Sequence, residues 1–409
     1  MHLDCKQQRG TAVHRAPVAA VCRRLPPTRA ALWVLAAFAL LLPTARGAAA
    51  AEADVAAPLV IIGGALEPDN EAVYRAILDR RLDDGAVCVV PTASGQPKRS
   101  MRSYVDDFRR YAGSRDASRG VLLRHDRPRR ADASRWAARL ADCGAFFFTG
   151  GDQSRIVDVW RPRGRSSQVD AALRARHAAG APVAGTSAGA AMMSDPMIGA
   201  GGNVEALRHG VVDRDGPPGV WVRDGMGFWP GVLVDQHFLE RDRLGRLLVA
   251  LAASSDASIG VGIDEDTALV VDPDAPWRVV GRSGVVIVAR TSAAGAPFTG
   301  HLWLLAPGDG FDLQGMRAEA AGAQPVTPSA AAARAADLDP WTDGQLRTAL
   351  RALAADPGRA QIWPTPDGGS VRLTPSTTTR VRPAAAEDDG GSFLGPIAIA
   401  VVPASAPVP

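Results

Sequence analysis

Lysine is almost absent from this chain of 409 residues: Lys6 and Lys98 are the only two, and arginine supplies the other basic charges. The formal net charge is +3, but the first 50 residues hold seven basic residues and one acidic residue. The rest of the chain is therefore slightly acidic, with a net charge of −3. A slightly acidic chain offers no broad basic surface to a phosphate backbone, which argues against a nucleic-acid partner. A GC-rich genome explains the arginine bias without any function.

The chain also lacks an apolar run long enough to cross a bilayer, which takes about 20 residues. The apolar run AALWVLAAFALLL, residues 30–42, has only thirteen. A basic stretch ends just before it at Arg29, and small residues that suit a signal peptidase follow it. This layout predicts a signal peptide over residues 1–51, no membrane span after its cleavage, and a secreted or periplasmic protein.

Cysteine is scarce as well, and Cys5 and Cys22 of the four lie in the predicted signal peptide. Cys88 and Cys143 stand beside apolar strands, where they could form a disulfide in an oxidising compartment or stay as two buried thiols. The sequence does not set the distance between them, so both alternatives are open. No two of the seven histidines have the spacing of zinc ligands, and we expect neither a metal nor a cofactor.

What the chain does have is an alternation of short apolar runs with amphipathic segments. The apolar runs are APLVIIGG, AVCVVPTAS, GVLLRH, GAFFFTGGDQ and APVAGTSAG. Continuous apolar strands that alternate with helices predict an α/β fold with a mostly parallel, doubly wound sheet covered on both faces. Ligands of such sheets bind in the loops at the carboxyl ends of the strands. We therefore expect these loops, which are rich in glycine and other small residues, to meet along one edge.

The predicted domain extends from residue 57 to residue 313. Its glycine- and tryptophan-rich segment 199–230 indicates an irregular flap or hairpin over the sheet edge, and residues 277–313 indicate closing antiparallel strands. Composition changes after Leu313, where an alanine- and proline-rich stretch predicts a low-complexity linker. The C-terminal region, residues 314–409, receives no functional interpretation from its sequence.

The segment Gly185–Gly189, GTSAG, has the pattern of a nucleophile elbow, with an apolar strand before it and small residues that suit a helix after it. Its glycines permit a sharp turn that would raise Ser187 at a helix N-terminus, where backbone N–H groups favour a developing negative charge. A tight strand-to-helix turn with an N-cap serine is the alternative interpretation of the same residues.

A serine nucleophile needs a general base and a carboxylate that orients it. His237 is the candidate base, because it stands in DQHFLERDR, where a strand gives way to a helix. The segment GIDEDTA offers Asp264, Glu265 and Asp266 at another strand. In a strand, the side chain of Glu265 would face opposite to those of its two neighbours. A structural histidine and a solvated acidic turn are the alternatives.

Four motifs occur in the order FFFTGGDQ, GTSAGA, DQHFLERDRLGRL and GIDEDTA. Together they resemble the cyanophycinase family of serine peptidases, which is related to aspartyl dipeptidases and has a class I glutamine-amidotransferase-like α/β core. The resemblance covers about Leu59 to Leu313. It implies that Ser187 is the nucleophile, His237 the general base and Glu265 its orienting carboxylate.

The same resemblance implies the other site residues. The backbone N–H groups of Gly151 and Ala188 would form the oxyanion hole. The implied substrate-binding residues are Gln153, Gln236, Arg243, Arg246 and Asp235. A guanidinium fork suits a carboxylate, so the two arginines fit a substrate that carries one. One departure from the family pattern is Ala65, which stands where relatives often have a third glycine.

The implied substrate is cyanophycin, a polyaspartate with arginine joined to each β-carboxyl group, and the implied products are β-Asp-Arg dipeptides. The guanidinium of this substrate would need acidic partners, for which Asp152, Asp235 and Glu240 lie near in sequence. Two alternatives are a peptidase of the same family that acts on other aspartyl or isoaspartyl peptides and a non-catalytic binding protein on the same fold. The family also suggests a homodimer.

Overall fold

The structure is a computed structural model that describes residues 55–335, 338–342, 344–382 and 393–404. The predicted signal peptide lies outside these described residues and stays a prediction. Among the described helices, none has both the length and the apolar character that a membrane crossing requires.

The secondary structure alternates between strands and helices in the first part of the chain. Its elements are β1 (Leu59–Ile62), α1 (Glu71–Leu78), β2 (Ala86–Val90), α2 (Pro97–Ala112), β3 (Ser118–Gly120), α3 (Ser134–Ala138), β4 (Cys143–Phe148), α4 (Gln153–Trp160), α5 (Gln168–Ala178), β5 (Val183–Thr186) and α6 (Ala188–Ala191). The middle part contains β6 (Met197–Ala200), α7 (Asn203–His209), β7 (Val211–Val212), β8 (Val220–Arg223), β9 (Val232–Gln236), α8 (Leu244–Ala253), β10 (Ile259–Ile263), β11 (Thr267–Val271), β12 (Trp277–Gly281), β13 (Val285–Arg290), β14 (Thr299–Leu305) and β15 (Gly310–Asp312). The last part contains β16 (Arg317–Glu319), β17 (Gln324–Pro325), β18 (Arg334–Ala335), α9 (Gln345–Ala355), β19 (Gln361–Pro364), β20 (Ser370–Thr374), β21 (Arg380–Arg382) and β22 (Phe393–Val402).

The central sheet has the strand order β16-β15-β12-β11-β1-β5-β4-β2-β3. The strands from β1 to β3 in this order run parallel, and the four on the other side of β1 are antiparallel additions. Leu59 and Ile61 pack into one apolar cluster, whereas Val60 and Ile62 pack into another. Because both faces of β1 are covered, every residue of that strand is buried. The predicted α/β fold is therefore confirmed.

A second sheet has the order β18-β19-β20-β22-β14-β13-β10-β9, and β21 and β17 are attached beside β22. Strands β9 and β10 are parallel, whereas β13 and β14 form an antiparallel pair. The closing strands predicted over residues 277–313 are antiparallel, as expected. The predicted flap, residues 199–230, contains helix α7 and contributes to a small sheet of β6, β8 and β7, with irregular segments between these elements.

Residues 314–409, to which the sequence assigns a linker and no role, contribute strands to both sheets in their described part. Strand β16 pairs with β15 across the predicted boundary at Leu313, and β22 pairs with β14. Helix α9 packs Leu346, Leu350 and Leu353 into an apolar cluster that also contains residues of α8. The C-terminal region therefore shares sheets and core with the preceding domain.

Cys88 in β2 and Cys143 in β4 form a disulfide, with their Cα atoms 5.7 Å apart. The structure thus contains the first of the two alternatives that the sequence leaves open. Because β2 and β4 are neighbours in the central sheet, the disulfide links two strands that lead to adjacent loops at the carboxyl edge.

Candidate active site

Ser187 lies in the sharp turn between β5 and α6. Its φ of 54° and ψ of −110° are unusual for a residue with a side chain, and such strain is typical of functional sites. A Cβ atom at Gly185 would lie 2.3 Å from the carbonyl oxygen of Gly189, and one at Gly189 would lie 2.3 Å from the carbonyl oxygen of Phe148. Both glycines of the GTSAG motif are therefore required by close backbone contacts, and the turn presents the serine hydroxyl.

Ser187, His237 and Glu265 are joined by hydrogen bonds. The Oγ atom of Ser187 lies 2.8 Å from Nε2 of His237, and Nδ1 of His237 makes a short hydrogen bond to a carboxylate oxygen of Glu265. A proton on Nδ1 donates to Glu265, which leaves Nε2 free to accept the hydroxyl proton of Ser187. This arrangement can activate a serine for nucleophilic attack.

The turn that follows β1 holds these three side chains together. The carbonyl oxygens of Ile62–Gly64 accept, in order, the backbone N–H groups of Ser187, His237 and Asp266, at 2.9, 2.7 and 2.8 Å. Gly64 has a φ of 122°, and a Cβ atom there would lie 2.2 Å from the imidazole ring of His237. From the sequence this segment is predicted only as a glycine-rich loop, although two glycines directly after an apolar strand indicate such a close approach.

Ala65, the departure from the family pattern, adopts a φ of 44° and its side chain is exposed. This left-handed conformation favours glycine and costs a residue with a Cβ atom roughly 1 kcal/mol. The backbone of the turn is thus the one that glycine would prefer, although alanine occupies the position.

His237 is largely buried, and burial lowers the pKa of its imidazole below the ordinary value. The hydrogen bond to Glu265 opposes this shift, whereas the positive charges of Arg241 and Arg243 add to it. The lowered pKa keeps the imidazole neutral at neutral pH, which is the state that a general base needs.

The glycine pair after β4 lies against the nucleophile. A Cβ atom at Gly150 would lie 3.2 Å from Cβ of Ser187, and one at Gly151 would lie 2.2 Å from the carbonyl oxygen of Ala93. Within the described residues, the N–H groups of Gly151 and Ala188 have no hydrogen-bond partner. Two free N–H groups near the serine can stabilise an oxyanion, which is the role that the family resemblance implies for them.

Asp235 and two arginines form a buried cluster two residues before His237. All three nitrogens of the Arg246 guanidinium are used: Nε and Nη2 bind the carboxylate of Asp235, and Nη1 donates to the carbonyl oxygen of Gly201 at 2.6 Å. Arg243 donates to the carbonyl oxygen of Gln236 at 2.6 Å and lies 3.6 Å from Asp235. One carboxylate thus faces two guanidinium groups, and the cluster keeps a positive charge.

Arg243 carries the unneutralised charge of this cluster. Burial is the larger cause, and repulsion from Arg246 the smaller one, of a pKa of Arg243 that is lowered to about 9. Arg243 therefore stays protonated at neutral pH. Two arginines are predicted to hold a substrate carboxylate. Of these, Arg243 is the one whose guanidinium still has nitrogens that can donate to such a carboxylate.

The two glutamines predicted to contact substrate differ in their surroundings. Gln153 donates from its amide nitrogen to the carbonyl oxygens of Ile198 and Gly199, at 2.9 and 2.7 Å, and thereby holds the flap strand β6. Gln236 is buried, and its side-chain oxygen has no hydrogen-bond partner among the described residues. A buried acceptor without a donor is costly, so this oxygen is suited to an N–H group of a ligand.

The three acids suggested as guanidinium partners all have cations beside them. Asp235 faces its two arginines, Asp152 lies 3.4 Å from Arg155, and Glu240 lies 3.5 Å from Arg347. The structure adds a cavity of about 260 Å³ in the flap, and its lining includes Glu205, Asp215 and Trp221. In the described part of the chain, these two carboxylates make no ion pair. The sequence alone does not single out these acids, since Glu205 lies in the short helix α7 and Asp215 in the loop between β7 and β8.

No group of three or more histidine, cysteine, aspartate or glutamate side chains is arranged to hold a metal ion within the ranges that the structure describes.

The sequence of this chain is similar to those of known peptidases. The family model described as Peptidase family S51 matches residues 59–276. A cyanophycinase of Synechococcus elongatus is 38% identical over 208 residues, which are 50% of this chain and 59% of that relative. A cyanophycinase of Trichormus variabilis is 33% identical over 278 residues, which cover 62% of this chain and 85% of the relative. The chain thus spans less than two thirds of the first relative's length.

A solved structure, a peptidase from an acI-B1 Actinobacterium, is 21% identical, with a TM-score of 0.44, and covers 60% of this chain and 94% of that one. The family assignment depends instead on the sequence matches, since the family model covers more than half of the chain. The resemblance to cyanophycinase-type serine peptidases is confirmed: this chain belongs to peptidase family S51.

Proposed function

We propose that this protein is an exported serine peptidase that hydrolyses cyanophycin to β-Asp-Arg dipeptides. The observation that carries the proposal is the hydrogen-bonded series from Ser187 through His237 to Glu265, in a chain whose relatives are cyanophycinases. The charged groups around the serine suit a substrate that carries both carboxylates and guanidinium groups.

In the proposed mechanism, His237 accepts the proton of the Ser187 hydroxyl as Oγ attacks the scissile carbonyl carbon. The N–H groups of Gly151 and Ala188 stabilise the oxyanion. His237 then donates the proton to the leaving nitrogen, the C–N bond breaks, and an acyl-enzyme ester forms on Ser187. Water, activated by the same imidazole, hydrolyses the ester. Glu265 orients the ring and stabilises its protonated form.

The substrate would be held at its two kinds of charge. Arg243, with its unneutralised charge, would bind a carboxylate of the aspartyl unit, and the free oxygen of Gln236 would accept an N–H group. Glu205 and Asp215 in the flap cavity would bind the guanidinium group of the arginyl unit. The flap is connected to the strand that leads to His237, because Arg246 binds both the carboxylate of Asp235 and the backbone carbonyl of Gly201.

Export is part of the proposal. The predicted signal peptide supports it, and so does the disulfide between Cys88 and Cys143, because disulfides persist in oxidising compartments and are rare in the cytosol. Outside the cell, an insoluble polymer has to be cut before its pieces can be taken up.

The test is to incubate protein that lacks residues 1–51 with insoluble cyanophycin and to measure soluble β-Asp-Arg by mass spectrometry. The wild type should release the dipeptide, and Ser187→Ala should lower the rate by at least about 10⁴-fold, because it lacks the nucleophile. Folding of both proteins is checked by circular dichroism.

No dipeptide from the folded wild type would rule out cyanophycin as the substrate. Cleavage of aspartyl or isoaspartyl peptide libraries by that same protein would then support the alternative peptidase. Dipeptide release by Ser187→Ala equal to that of wild type would remove Ser187 as the nucleophile.

A further inference from the structure

Asp264, the residue before Glu265, has a fully buried carboxylate that connects several segments of the site. Its Oδ1 atom accepts the backbone N–H groups of Leu239 and Glu240, each at 3.0 Å. These two residues follow His237 closely in the chain. A single carboxylate therefore joins the loop of the base to the loop of its orienting acid.

The other oxygen of Asp264 is held by two side chains. Ser283 donates its hydroxyl to Oδ2 at 2.6 Å, and Arg347 donates from Nη2 to the same atom at 2.5 Å. Arg347 also donates from Nη1 to the hydroxyl oxygen of Ser283 at 2.6 Å. Asp264, Ser283 and Arg347 thus form a closed hydrogen-bonded triangle, and Arg347 supplies its positive charge.

Arg347 comes from helix α9, in the C-terminal region that lies beyond the family match to residues 59–276. The start of this helix is fixed to the loop of the base, because the carboxylate of Asp242 accepts the N–H groups of Gly344 and Leu346 at 2.7 Å each. The apolar face of the helix packs into the core beside α8. The position of Arg347 is therefore set by both polar and apolar contacts.

We propose that Arg347 is a positioning residue that fixes the loops of His237 and Glu265 through the buried carboxylate of Asp264. The C-terminal region then completes the active site of this chain. This inference rests on the proposed serine mechanism, but not on the identity of the substrate.

The physical reason is that a buried carboxylate needs a counter-charge and a full set of donors. Without Arg347, Oδ2 of Asp264 would keep only the Ser283 hydroxyl, and water or another donor would have to replace the guanidinium. Any rotation of the carboxylate weakens its bonds to the N–H groups of Leu239 and Glu240. A displacement of about 1 Å in a catalytic constellation lowers the rate by roughly 100-fold.

The experiment compares Arg347→Ala with Arg347→Lys, Ser283→Ala and a matched control, Arg382→Ala. Arg382 also belongs to the C-terminal region and pairs with a buried aspartate, Asp309, at 2.9 Å. Asp309 holds the backbone of Ala306 instead of a triad loop. The full chain from residue 52 is used throughout.

Three properties are measured for each protein: kcat and KM for cyanophycin hydrolysis, the thermal midpoint, and the low-field proton resonance of Nδ1–H in His237. This resonance reports the hydrogen bond between the imidazole and Glu265 without any substrate. Fluorophosphonate labelling counts the competent serines, so that the rates refer to folded molecules.

Arg347→Ala should lower kcat by about tenfold or more, with KM within about twofold of wild type, and should weaken or shift the resonance. Ser283→Ala should have a smaller effect of the same kind. Arg347→Lys should recover part of kcat, because one ammonium group reaches Asp264 but cannot bind two partners in a fixed fork. Arg382→Ala should lower only the thermal midpoint.

A wild-type kcat and resonance in Arg347→Ala would overturn the inference, as would an equal loss of kcat in Arg382→Ala. If Arg347→Ala does not fold, the test uses Arg347→Lys and Ser283→Ala instead. A wild-type kcat and a wild-type resonance in both variants would then overturn the inference. If wild-type protein leaves cyanophycin intact, the substrate proposal fails on its own, and the resonance still compares the variants.

Discussion

The charge on His237 is the first residue-scale property that the structure constrains. Burial lowers its pKa, so we expect kcat/KM to rise with pH and to reach half its plateau below the ordinary histidine value of about 6.5. The value of kcat/KM rises with pH, rather than falling, because only the neutral imidazole can accept the serine proton. The midpoint of this rise is measured from the pH profile of kcat/KM for a soluble cyanophycin fragment.

A useful control for this profile is Arg241→Gln, which removes one of the positive charges that lower the pKa of His237. The midpoint should then move to higher pH, and only slightly, because Arg241 is exposed and its charge is screened. A wild-type midpoint above pH 7 would mean that the bond to Glu265 outweighs burial.

Arg243 and Arg246 provide a second residue-scale prediction, since the structure gives the two arginines different surroundings. Arg243→Gln should raise KM by about tenfold through the loss of a charge-assisted contact, with little loss of stability. Arg246→Gln should instead destabilise the fold by about 3 kcal/mol, because it removes the main partner of the buried carboxylate of Asp235. Urea unfolding and Michaelis kinetics separate the two effects.

The opposite pattern would reassign the arginines. If Arg246→Gln keeps the wild-type midpoint in urea and raises KM more than Arg243→Gln does, Arg246 holds the substrate carboxylate and its bonds to Asp235 are replaced on binding. Equal destabilisation by both variants would indicate that they share Asp235 evenly.

At the scale of elements, strand β1 explains how three distant motifs meet. Its neighbours are β5, which leads into Ser187, and β11, which begins two residues after Glu265. In the second sheet, Gln236 lies opposite Ile263, so the next residues along β9 and β10 are His237 and Asp264. The ends of these strands thus bring Ser187, His237 and Glu265 to one place.

Much of this arrangement could be predicted from the sequence, since the elbow, the base and the acid each stand at the end of an apolar run. The order of the strands in the sheets could not be predicted, because strand pairing depends on contacts between residues far apart in the chain. The ion pair between Arg246 and Asp235 could not be predicted either. The i and i+3 spacing of two arginines on a helix gives no information about a carboxylate on a strand.

The C-terminal region illustrates a further limit at this scale. The alanine- and proline-rich stretch after Leu313 predicts a linker, yet β16 at its start pairs with β15 and β18 near its end pairs with β19. Helix α9 has the period of an amphipathic helix, but the sequence does not tell which surface its apolar face covers. The strands and helix are stabilised by the core of the domain rather than by their own composition.

At the scale of the whole molecule, the disulfide connects fold and compartment. Of the four cysteines of the chain, Cys88 and Cys143 lie in the described residues, and they form one bond between buried strands of the central sheet. In the cytosol these thiols would be kept reduced, so the contribution of the bond to stability depends on export. A measured difference between oxidised and reduced protein therefore bears on localisation as well as on folding.

The bond closes a loop with a sequence separation of 55 residues, for which loop-closure entropy gives a stabilisation of about 4 kcal/mol. We expect dithiothreitol to lower the midpoint of urea unfolding of the disulfide-bonded protein markedly, and to leave the midpoint of a Cys88→Ala, Cys143→Ala variant unchanged. Mass spectrometry of the protein purified from the periplasm or medium should find the two thiols oxidised. Free thiols in that protein, with no effect of the reductant, would contradict both the bond and the argument for export that depends on it.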